Sequence, residues 1–213
     1  MMTNDRDKAQ KRAVGYFFED GLTEIALGGV FLVLGLYFFG QAALPESSSL
    51  RSWLDASFLL VFLGAFYMAR RVVRFLKSRV TYPRTGYVSY KPKKDARRRR
   101  KLAAVTGGLI AGLLSSLMAI SPDVRSWLPA VNGFLLGAAI LLIAYRVGVV
   151  RFYLLAAVSA LTGFAVAAAG VGDIRGVSLY YAIFGGAVLL SGTAALVVYL
   201  RRSRIGEEDG RGS

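Results

Sequence analysis

The chain contains no cysteine and no histidine. Disulfides, thiolate nucleophiles, imidazole metal ligands and histidine acid–base catalysis are therefore excluded together. Without thiols the chain carries no mark of its redox compartment. Acids are also few, 13 Asp and Glu against 27 Lys and Arg, for a net charge of +14. The sequence has no nucleotide-binding glycine loop, no cluster of metal ligands and no nucleophile placed beside a base. Any catalysis would have to rest on carboxylates, Lys, Tyr or Ser, so the expectation is a protein that is not an enzyme and needs no cofactor.

What the chain does have is apolar length. Of its 213 residues 55% are hydrophobic, and its mean hydropathy is positive, too apolar for a soluble domain that must cover its core with polar surface. A bilayer core of about 30 Å needs roughly 20 apolar residues per crossing helix. Uncharged runs predict spans at about 22–42, 102–121, 127–145, 152–171 and 177–200. A sixth, 53–76, ends in Arg70, Arg71 and Arg74, whose long side chains reach back to the headgroups. Its competing reading is a helix that leaves the membrane early and lies on its surface. For the first span the competing reading is a signal peptide over residues 1–42, against which Glu19, Asp20 and Glu24 crowd the start of the apolar run.

Counting Lys and Arg by segment assigns 24 of the 27 to alternate segments on one side and only Arg51, Arg125 and Arg175 to the other. Basic segments stay cytoplasmic. The predicted fold is thus an all-α, multi-pass membrane protein with six transmembrane helices and both termini inside. Its parts are a cytoplasmic arm at 1–21, a membrane domain at 22–200 with a basic loop at 77–101, and a cytoplasmic tail at 201–213.

Arg51-Ser-Trp-Leu54 recurs as Arg125-Ser-Trp-Leu128, and the exits Arg70-Arg-Val-Val-Arg-Phe75 and Arg146-Val-Gly-Val-Val-Arg-Phe152 are alike. The match predicts three helical hairpins of one plan, related by an axis along the membrane normal. The bland reading is that interfacial Trp and cytoplasmic Arg recur in any membrane protein. Small residues at packing spacing, Gly108 with Gly112, Gly133 with Gly137 and Ala182 with Gly186, predict close helix approach in a bundle or a dimer. Gly185-Gly186 could break the last helix, but close packing is the simpler use.

The most distinctive loop segment is Thr81-Tyr-Pro-Arg-Thr-Gly-Tyr-Val88, a turn built on Pro83 and Gly86. Together with Tyr16-Phe-Phe-Glu-Asp-Gly-Leu-Thr-Glu24 it resembles a motif pair in uncharacterised prokaryotic integral membrane proteins. The resemblance covers roughly residues 15–92 and, with the charge pattern, implies a prokaryotic plasma (inner) membrane, but no role for any residue.

Physically the two motifs predict a clamp. Glu19, Asp20 and Glu24 meet the inner membrane edge, as do Arg70, Arg71, Arg74 and Arg84, with Tyr82 and Tyr87 flanking the turn. Charges withdrawn from water need partners, so Glu24 is expected to pair with Arg84 or with the exit arginines. The bland alternative is that Glu24 favours its helix N-terminus. Lys91, Lys93, Lys94, Arg97, Arg98, Arg99, Arg100 and Lys101 form a basic cluster suited to anionic headgroups. Lipid is favoured over nucleic acid because nothing beside the cluster could read a groove or stack bases.

Asp55, Asp123 and Asp173, one per hairpin, stand at the outer edge, where single acids are ordinary and convergence on a cation is the weaker reading. The deep polar residues are neutral, among them Asn132, Ser159, Thr162 and Ser191, which argues against ion-coupled transport. The preferred expectation is an accessory or assembly subunit whose basic loop meets a partner or anionic lipid, alone or as a homo-oligomer. A small transporter for a neutral or lipidic solute comes second and a lipid-modifying enzyme third.

Overall fold

The structure, a computed structural model, describes residues 18–45, 47–80 and 125–209. Among these residues the fold is all-helical: α1 (Leu22–Ala43), α2 (Ser49–Val80), α3 (Leu128–Val147), α4 (Val150–Ala168) and α5 (Asp173–Asp209). Each contains a stretch long and apolar enough to cross a bilayer. The predicted spans at 22–42, 53–76, 127–145, 152–171 and 177–200 fall on these helices in order, and the predicted span at 102–121 lies outside the described residues.

Boundaries differ from expectation where basic residues were read as ending a helix. α2 is one helix of 32 residues, about 48 Å long at 1.5 Å per residue, so Lys77 and Arg79 of the expected loop belong to it. α5 likewise runs through Gly185-Gly186 and on into the expected tail. Lys and Arg are good helix formers, and a charge that marks the membrane edge does not stop a helix.

The helices run up and down, so that their ends collect at two faces. At the first face lie the start of α1, the end of α2, the α3–α4 turn and the C-terminal part of α5, shown by Asp20 against Lys77, Gly21 against Gly192 and Arg151 against Glu24. At the second, Gly172 meets Ser126 and Gly176 meets Pro129. The α3–α4 turn depends on Gly148, whose φ of 73° is left-handed and whose N–H caps Ala144 at 2.7 Å. The two exit strings that look alike in sequence therefore differ in shape, Arg70–Phe75 being continuous helix and Arg146–Phe152 broken at Gly148.

The tightest packing pairs α1 with α5 and α3 with α4, which are not the predicted hairpins. A Cβ on Gly28 would lie 2.8 Å from Leu189 N and one on Gly35 3.1 Å from Ala182 N; between α3 and α4, one on Gly133 would lie 2.6 Å from Ser159 O and one on Gly137 2.9 Å from Ala156 O. Close backbone approach at small residues is how helices associate where the surroundings are as apolar as the interface. Of the adjacent pair Gly185-Gly186 it is Gly185 that meets α1, while Gly186 faces open space. Between the two pairs the core is aromatic and aliphatic, with Phe31, Phe152, Tyr180, Phe184 and Val188 buried. α2 rides outside, touching α1 through Phe58 stacked near Tyr37 and Phe38.

Gly133→Val therefore forces α3 and α4 apart and is expected to cost about 1–3 kcal/mol, whereas Gly186→Ala is expected to be neutral or stabilising by up to about 1 kcal/mol. Thermal unfolding of both variants in the same detergent checks the contrast.

Candidate charge-clamped site at one end of the bundle

Two buried carboxylates face the first end of the bundle, and each meets a cation from a distant part of the chain. Gly21, at φ 67°, turns the chain into α1 and lets it lie against Gly192 of α5. This turn directs Asp20 toward α2 and Glu24, a turn later, toward α4 and α5. Asp20 Oδ2 lies 3.1 Å from Lys77 Nζ, both side chains almost wholly enclosed, and Asp20 Oδ1 accepts the Leu22 N–H at 3.2 Å. Glu24 Oε1 lies 2.7 Å from Arg151 Nε, a charge contact in which the N–H is turned off the line between the atoms. Glu24 Oε2 accepts the Ser191 hydroxyl at 3.0 Å. The Arg151 guanidinium also donates to the Phe18 carbonyl, and Phe18 packs edge-on against Phe152 at 5.4 Å.

Among the described residues, the exit arginines of the second span are thus not the partners of Glu24. Glu24 pairs with Arg151 of α4, and Arg70, Arg71 and Arg74 are exposed along α2. Among the acids, Asp20 and Glu24 are buried and Glu19 is exposed. Tyr82, Arg84 and Tyr87, with the cluster from Lys91 to Lys101, lie outside the described residues. The physical reason for the exchange is geometric. α2 touches α1 at one side only, whereas the α3–α4 turn brings Arg151 over the α1–α5 seam where Glu24 points. From sequence, Lys77 is expected only as a topology charge and Arg151 as that and as part of a repeated exit, neither as a partner of these acids. A signal for Lys77 is that it follows Phe75-Leu76 and precedes the end of the apolar helix, a cation placed to be covered.

Chemically these acids are occupied. Both oxygens of Asp20 and Oε2 of Glu24 accept from or pair with donors, while Glu24 Oε1 has only the charge contact with Arg151, so the arrangement ties together the helices that meet here. Beside it opens a cavity of about 360 Å³ lined by Glu19, Arg151, Ser191, Ala195, Val198 and Tyr199, where α5 continues beyond the start of α1.

Several deep polar residues likewise bond to neighbouring helices, while Thr193 and the Asn132 amide donate to carbonyls of their own helices. Ser159 donates to Gly133 O at 2.9 Å and lies 2.7 Å from the Tyr180 hydroxyl. Ser178 donates to Gly35 O at 2.8 Å and Tyr181 to Asn132 Oδ1 at 3.3 Å. At the second end Gln41 donates to Asp55 at 2.6 Å, and Tyr37 to the Leu54 carbonyl. Asp173 opens α5, and Asp123 lies outside the described residues; no group of three or more metal-ligating side chains occurs among the described residues. Comparison with protein-family models, with curated proteins and with solved structures finds no match.

Removing one member of a buried ion pair leaves its partner uncompensated, at a cost of roughly 3–5 kcal/mol. Lys77→Met alone is expected to destabilise by that order, and Lys77→Met with Asp20→Asn by clearly less. Half-buried Arg151 gives a parallel cycle in which exchanging Glu24 and Arg151 restores part of what either single change loses. Unfolding midpoints of singles and doubles read both cycles; additive losses would mean the charges act independently.

Proposed function

We propose that this chain is a six-span integral membrane protein of a prokaryotic plasma membrane, with both termini cytoplasmic, serving as a non-enzymatic accessory or interaction subunit. Its basic segment 77–101 and the charge-clamped end of the bundle form the surface that meets a partner protein or anionic headgroups.

The observation that carries this reading is how the polar groups are used. From Ser159 and Tyr180 at depth to Glu24 and Asp20 at the end, the polar side chains bond to neighbouring helices. They make a bundle that is held shut, which suits a scaffold better than a path for solute or a reaction centre. Support for a sixth span comes from the ends of the helices. α2 finishes at the first face, beside Asp20, and α3 starts at the second, beside Gly176, and an intervening crossing is what joins opposite faces. Orientation rests on the lysine and arginine imbalance, and the prokaryotic setting on the likeness of the two motifs.

Native mass spectrometry of the protein, extracted gently from its own membrane, tests the role. The expected result is a stoichiometric complex with another protein. A lone chain or self-oligomer carrying a small molecule would overturn the accessory reading in favour of transport.

A further inference from the structure

At the end of the bundle opposite the charge clamp, a groove of about 820 Å³ runs alongside the α1–α5 seam and opens to the side. This lies within the ~300–1,000 Å³ range of small-ligand sites. Its walls are apolar, with Leu36 and Phe39 of α1 facing Leu179 and Ala182 of α5, and Arg175 stands at its mouth beside Ala42. Leu36 is 71% and Phe39 64% exposed, so nothing among the described residues covers them.

Three features identify what fits. Along α1 the groove runs from Leu32 to Ala43, about 16 Å at 1.5 Å per residue, which is half of a ~30 Å hydrocarbon core and so the depth of one leaflet. A crossing helix would need the full depth; an acyl chain needs half. The floor is closed because Ser178, which could have offered a hydroxyl, donates it to Gly35 O, leaving the groove apolar below its rim. At the rim Arg175 is exposed and has no ion-pair partner among the described residues, whereas Arg51 on the same face donates to Leu44 O at 3.3 Å. Asp173 is two positions away, a spacing at which helical side chains do not face each other.

We infer that this groove is a binding site for a bilayer phospholipid with an anionic headgroup, its phosphate held by the Arg175 guanidinium and one acyl chain lying along the outside of the α1–α5 seam. Arginine suits the task because its planar fork matches phosphate oxygens. The site rests on the reading of the chain as membrane-spanning and is separate from the basic surface at the other end.

The test uses the full chain in nanodiscs of phosphatidylcholine doped with phosphatidylglycerol, followed by release and native mass spectrometry of retained lipid. Phosphatidylglycerol is expected to be retained over phosphatidylcholine by wild type. Arg175→Gln is expected to lower that preference about fivefold, Arg175→Lys to keep most of it, and Ala42→Phe, which fills the mouth without touching the glycine seam, to lower retention of both lipids. Equal retention in wild type and Arg175→Gln, or no preference in wild type, overturns the site while leaving the membrane reading intact. A dimer that Ala42→Phe dissociates overturns it too, since a second copy would then occupy the groove. A chain that stays dispersed without detergent overturns the membrane reading itself, and this site with it.

Discussion

A carboxylate carried away from water must find a cation or give up its charge, and the position of Glu24 makes this the constraint around which the bundle is arranged. Glu24 sits on the first helix, one turn past the glycine that lets α1 lie against α5. It can be covered only if something positive reaches the seam between those helices. Arg151 does, because Gly148 ends α3 and the chain re-enters as α4 directly over that seam. Ser191 supplies the other oxygen's donor from α5. One side chain thereby fixes the mutual placement of α1, α4 and α5, and the neighbouring Asp20–Lys77 pair adds α2. Such pairs contribute little net stability over an apolar replacement; their effect here is to admit one register of the helices and reject others, because a shift by a turn would strand a charge.

Between the charged end and the opposite face, glycine and hydroxyl groups do the same work at lower stakes. Where backbones approach at Gly28, Gly35, Gly133 and Gly137, the carbonyls of the partner helix come within reach of short side chains, and Ser159 and Ser178 bond to them. Close approach and hydrogen bonding are therefore one design, since the absence of a Cβ is what brings the carbonyl near enough. Tyr180 and Tyr181 extend it, reaching Ser159 and Asn132 across α4 and α3. Among the described residues, these polar side chains serve helix contact.

How much of this the sequence discloses depends on the range of the interaction. Helix positions are local, and runs of uncharged residues locate α1, α3 and α4 to within a few residues, and α5 except for its end, which runs nine residues past the predicted 200. The second helix was harder because Arg70 to Arg74 interrupt it, and a length scale alone cannot say whether such a helix stops or continues. Gly133 and Gly137 are legible as packing residues, but their partners on α4 are not. Gly185 and Gly186 cannot be told apart without knowing which face of α5 meets α1. The clamp shows the limit most clearly. That Glu24 needs a cation follows from burial; that the cation is Arg151 follows from a turn made at Gly148, remote in the chain, and the repeat in the sequence points the wrong way by equating Arg151 with the exposed Arg74.

The position of α2 follows from the same division of labour. It is bound to α1 near both ends, by Gln41–Asp55 and Tyr37–Leu54 at one and Asp20–Lys77 at the other, with Phe58 and Phe62 stacked between. The rest of its length, including Trp53, Leu59, Leu60, Leu63 and Tyr67, is exposed. In water such a face would drive aggregation; against lipid it costs nothing, and against another apolar helix it offers large side chains already held in place from behind. An interaction role asks for an element of this kind, rigidly tethered at its ends and open along its flank. α1, α3, α4 and α5 cannot supply it at their glycine seams, because there the packing surface is already used.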